Sequence, residues 1–195
     1  MCNIYNEIKK STKFNDVSSY YLFIGHKPYC DNKRESEQLV LEKYQNTAYQ
    51  NTLGKVAFIP KEHSYPSSFL YLMKLIFNSL DFAEKLEKKG ISNEELTIYL
   101  YNKGYVFVNI RDIENCDDLI KKAKHIIFIG CSNDVKREEI TKLIKDKSKG
   151  ATRLYHSSGN NVDRKRHTKE WIKHDSTNSE SINGEKINLT ELILK

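Results

Sequence analysis

Tyr20-Tyr21-Leu22-Phe23-Ile24-Gly25 is an unbroken apolar run closed by a glycine, and three runs of the same kind follow it. They are Tyr105-Val106-Phe107-Val108-Asn109-Ile110 after Gly104, Ile126-Ile127-Phe128-Ile129 before Gly130, and Thr152-Arg153-Leu154-Tyr155 after Gly150. A strand with one face in water alternates polar and apolar residues. A strand covered on both faces is continuously apolar, as in a parallel sheet.

Helical patterns lie between these runs. Phe69, Leu72, Met73, Ile76, Phe77 and Leu80 recur at three- and four-residue steps, with Ser67 or Ser68 as N-cap. Ser92-Asn93-Glu94-Glu95-Leu96 opens a second helix, residues 117–124 a short third, and residues 133–147 a fourth. Strand–helix alternation at this spacing predicts an α/β three-layer sandwich, with a central, mainly parallel four-stranded sheet and helices on both faces. Residues 31–66 fit less well: a helix is expected over residues 35–44, then a polar stretch, then the apolar Val56-Ala57-Phe58-Ile59.

The length of 195 residues suits a single domain with a substantial core, placed at residues 1–174. Residues 175–195 read as a polar, mobile tail whose apolar end, residues 188–194, docks on the core. Aromatic residues make up 11% of the chain, which excludes global disorder. No apolar run reaches the ~18–20 residues of a membrane span, and the N-terminal stretch lacks a signal-peptide core. The expectation is a cytoplasmic, monomeric protein with no membrane partner. Cys2, Cys30, Cys116 and Cys131 form no Cys-x-x-Cys pair, so free thiols are expected, and no metal or other cofactor.

The net charge of +6 is unevenly spread. Residues 133–174 hold twelve Lys/Arg against six Asp/Glu, and the remainder balances at twenty against twenty. That pattern marks either an anion-binding surface or a solvated helix face.

Ligands in open parallel sheets bind beyond the carboxyl ends of the strands. The first run opens into Gly25-His26-Lys27-Pro28-Tyr29-Cys30, the second ends in Asn109, and the fourth enters His156-Ser157-Ser158-Gly159-Asn160-Asn161 ahead of Arg164-Lys165-Arg166. Three strand ends on one rim would join hydrogen-bond donors, an imidazole and a basic lip. Each piece also has a plainer role: His156 as a hydrogen-bonded structural residue, Asn109 as a loop brace, Tyr29 as core, and Arg164 to Arg166 as a solvated helix start.

In order and spacing these motifs resemble the uracil-DNA glycosylase superfamily, over about residues 20–171. The family's G-x-x-P-[YG] loop is matched by Gly25-His26-Lys27-Pro28-Tyr29, and its G-[apolar]₄-N strand by Gly104-Tyr105-Val106-Phe107-Val108-Asn109. A third strand ending in glycine is matched by Ile129-Gly130, and the H-P-S-x-x-[SN] motif by His156 to Asn161. The resemblance implies an enzyme that flips a deaminated or modified base out of DNA and hydrolyses its N-glycosidic bond. It gives His156 the charge of the departing base, Asn109 the base edge, and Tyr29 and Gly25 the pocket wall. Ser157, Ser158, Arg164, Lys165 and Arg166 would hold DNA phosphates, with Asn160 where the family carries an apolar wedge.

Lys27 departs from the pattern, since the best-known branch carries a water-orienting Asp there. Three readings stay open. Lys27 attacks the sugar as an amine; it binds phosphate while His26 or Asp31 handles water; or hydrolysis is lost and the chain is a binding module for a base, modified nucleotide or small nucleotide ligand, in defence or regulation.

Overall fold

The computed structural model describes residues 4–25, 38–62, 67–77, 79, 81–113, 117–129, 150–154 and 179–181. Helices and strands are mixed around a parallel sheet. Its heart is three strands: β1 (Tyr20–Gly25) lies between β4 (Tyr105–Asn109) and β5 (Ala123–Ile129), parallel to both. These are three of the apolar runs, and their burial explains them. Leu22, Phe23, Ile24, Val106, Phe107, Val108, Ile126, Ile127 and Phe128 are all at most 1% exposed, so both faces are covered. Beside β5 the backbone pairing continues into β6 (Gly150–Leu154), parallel, and then β7 (Ser179–Ser181), antiparallel. β7 falls in the polar stretch after residue 174, which therefore includes residues paired to the sheet.

A second, two-stranded sheet pairs β2 (Gln38–Val40) antiparallel with β3 (Lys55–Pro60). This corrects the helix expected over residues 35–44: the described part, from Gln38 on, is a strand and then loop. Leu39 and Leu41 are buried while Val40 between them is 52% exposed, the period-two alternation of a strand. A 3-10 turn (Gln50–Thr52) leads into β3 through Leu53 and Gly54, both left-handed at φ 55° and 74°. A Cβ on Gly54 would stand 2.6 Å from the Leu41 carbonyl oxygen, so this turn requires glycine.

The helices are α1 (Ile4–Lys10), α2 (Ser67–Phe77), α3 (Phe82–Lys88), α4 (Asn93–Asn102), α5 (Ile110–Ile113) and α6 (Asp117–Lys122). Ser67, expected as a cap, is itself the first helical residue of α2. α4 begins where expected, on a full capping box. Ser92 Oγ accepts the Glu95 N–H at 3.1 Å, and Glu95 Oε2 accepts the Ser92 N–H at 2.7 Å. Every residue from Leu96 to Tyr101 is buried, so α4 is a core helix lying against β4, β3 and α1. Ile110, expected to extend its strand, instead starts α5, which turns the chain sharply just after Asn109. The fourth expected helix, residues 133–147, lies outside the described residues. No described helix is long and apolar enough to cross a membrane.

Candidate functional site

The carboxyl ends of the parallel strands form one row. Asn109 is in register with Gly25, Gly25 with Ile129, and Ile129 with Leu154. At about 4.8 Å per strand, the row from Asn109 to Leu154 spans roughly 14 Å. The connection leaving β1 reaches β4 on one side, whereas the one leaving β5 reaches β6 on the other. Gly25 and Ile129 therefore flank a topological switch point, where connections diverge and leave a crevice.

Two residues singled out in the sequence meet beside it, on the side of β1 that pairs with β4. Asn109 is 1% exposed, and its Nδ2 donates to Asp112 Oδ2 at 3.1 Å. Its Oδ1 lies 3.4 Å from the point a Cβ on Gly25 would occupy. The Asn109 carbonyl oxygen thus faces Gly25 across the contact between β4 and β1. The sharp start of α5 brings Asp112, three residues on, back beside Asn109.

Three further residues complete the cluster, and none was singled out for the site in the sequence. Phe58 sets its ring edge against Gly25, with Cζ 2.8 Å and Cε1 3.2 Å from that same Cβ position. Phe58 sits in β3 with φ 66°, a left-handed backbone rare for an aromatic residue and costing about 1–3 kcal/mol. Strain of that size concentrates at functional positions. Asp112, with a side chain 16% exposed, has its Oδ1 3.7 Å from Lys55 Nζ. Lys55 opens β3, so one short strand delivers both a cation and an aromatic ring to this corner. The sequence signal was the run Val56 to Ile59, which reads equally well as plain core. Nothing in it marks the backbone of Phe58.

Behind the cluster the scaffold is firmly tied. Tyr49 is fully buried, and its hydroxyl oxygen accepts the Phe107 N–H at 3.0 Å. β4 is the end strand of its sheet, and this bond occupies a donor on its open side. Burial pushes the Tyr49 hydroxyl well above the ordinary tyrosine range, so it stays protonated. Tyr20 Oη donates to the Leu119 carbonyl at 2.6 Å, fixing the start of β1 to α6. His125, read in the sequence as structural, is a buried residue of β5 whose pKa burial lowers to about 4.

His26, Lys27, Tyr29, His156, Ser157, Ser158, Asn160, Arg164, Lys165 and Arg166 lie outside the described residues. So does nearly all of the basic window at residues 133–174, of which only β6 is described. Among the described residues no group of three or more His, Cys, Asp or Glu could hold a metal ion. Comparison with family models, with curated proteins and with solved structures returned no match to this chain.

Proposed function

We propose that the chain is a three-layer α/β sandwich, with β6 the fourth parallel strand of its central sheet, and that it acts as a DNA glycosylase of the uracil-DNA glycosylase type. In this reading it flips a deaminated or modified base to the carboxyl edge of the sheet and hydrolyses its N-glycosidic bond. The observation that carries it is the meeting of Asn109, Gly25 and Phe58: a buried amide, a residue with no side chain, and a flat ring at the carboxyl ends of two paired strands. An amide can read a base edge, and an aromatic ring that moves off Gly25 can stack on the base, worth about 1–3 kcal/mol. The motif order supports the same reading. Gly25 opens the loop with His26, Lys27 and Tyr29, and β6, whose last residue stands in the row with Gly25, runs two residues short of His156.

In the proposed mechanism His156 stabilises the charge on the leaving base, and Tyr29 limits what fits beside it. Ser157, Ser158, Arg164, Lys165 and Arg166 hold phosphates along the basic window. Lys27 favours a second reading, since an ammonium is no base for water: a module that keeps the pocket and binds a base or nucleotide without breaking the bond.

Incubation with oligonucleotides carrying uracil or hypoxanthine, with chromatography of the released base, separates the two. The glycosylase reading predicts release that falls at least about 100-fold in Asn109→Ala. Absence of release, with mononucleotide binding that depends little on salt, supports the binding module instead.

A further inference from the structure

Between the register pairs Gln38 with Pro60 and Val40 with Lys55, β2 has one residue, Leu39, and β3 has four, Val56 to Ile59. A bulge of this kind bends its strand and turns a side chain out of the regular alternation. Val56, Ala57 and Ile59 are buried, whereas Phe58 among them is only partly buried. Its φ of 66° is a backbone that glycine and asparagine hold readily and a bulky aromatic residue does not. From there the ring lies against Gly25, with Cζ 2.8 Å from the position of a Cβ. Asn109, in register with Gly25, is 1% exposed. A partly buried ring from the second sheet thus closes the carboxyl ends of two strands of the first. Return of Phe58 to a negative φ both relieves the left-handed backbone and lifts the ring from Gly25.

We propose that Phe58 is a built-in plug: in the free protein its ring shuts the strand ends at Gly25 and Asn109, and a ligand enters only when the bulge of β3 carries the ring away. This rests on the reading of these strand ends as the ligand site. A plug lowers the fraction of molecules ready to bind. Removing it therefore speeds association, whatever the ring contributes to the complex afterwards.

The test compares the full chain as wild type, Phe58→Gly and Phe58→Asn. Both substitutes accept a left-handed φ, so the ring is lost with the backbone left in place, and either variant serves if the other does not fold. The first quantity read is hydrogen exchange of the Asn109 side-chain amide in the free protein, scaled to the backbone amides of β5. The second is the association rate constant of a short, fluorescently labelled single-stranded oligonucleotide carrying one deoxyuridine. The plug predicts scaled exchange faster by about 10-fold or more. It predicts association faster by about 5-fold or more. Exchange at Asn109 that rises no more than in β5 overturns it, as does association no faster than in wild type. If neither wild type nor the variants bind the oligonucleotide, the base-binding reading fails, while the scaled exchange still decides whether the ring closes the strand ends.

Discussion

A methyl group on Gly25 would stand 2.8 Å from Phe58 Cζ and 3.4 Å from Asn109 Oδ1, so Gly25→Ala tests the crevice at a single atom. The Phe58 ring has to give way, and overpacking of this kind costs about 1–3 kcal/mol. Gly25→Ala is therefore expected to lower the melting temperature and to weaken base binding by more than the stability loss explains, because the methyl and the displaced Phe58 ring crowd Asn109. Binding that survives unchanged would place the ligand elsewhere. His125 gives a prediction in pH. Its folded pKa is about 4 against about 6.5 in the unfolded chain, so below pH 6.5 the unfolded form takes up a proton that the folded form refuses. Stability present above pH 6.5 is lost progressively down to about pH 4, by about 2 kcal/mol at pH 5. Urea denaturation of wild type and His125→Gln across this range isolates the effect, because the carboxylates common to both cancel. Parallel curves for the two proteins would count against it.

At the scale of elements, Tyr49 links the turn before β3 to the open side of β4. Tyr49→Phe leaves the buried Phe107 N–H without its acceptor, and an orphaned buried donor costs about 1–3 kcal/mol. Denaturation should show that loss, and hydrogen exchange should quicken at Phe107 more than in β5. Uniform acceleration across the sheet would indicate ordinary destabilisation only. The elements also show what a sequence can and cannot say. β1, β4 and β5 were legible because strands covered on both faces leave continuous apolar runs, and α4 because Ser92 and Glu95 are spaced for a capping box. β2 was not, because Leu39-Val40-Leu41 is apolar throughout while its burial alternates, hiding the period that would have marked a strand. Phe58 escaped for a related reason: apolar composition shows burial, whereas its left-handed φ falls where the register between β2 and β3 shifts.

Across the whole molecule, strand order converts residues distant in sequence into neighbours. Gly25 and Asn109 are 84 positions apart and directly paired, because β4 returns alongside β1 after a long excursion. Sequence reading placed each at a strand end; register, which depends on how two strands meet, made them adjacent. Asp112 and Lys55 were beyond its reach, since their link to Asn109 comes from the turn into α5 and from a separate sheet. The proposed function requires a base to be held at the strand ends beside Asn109 and Phe58. Its most direct measurement is a nuclear magnetic resonance titration of the labelled full chain with single-stranded oligonucleotides, with and without one uracil or hypoxanthine. The claim predicts that the Asn109 side-chain amide and the Phe58 ring signals shift selectively with the altered base. Shifts confined to other parts of the chain, or identical with the unaltered oligonucleotide, would contradict it.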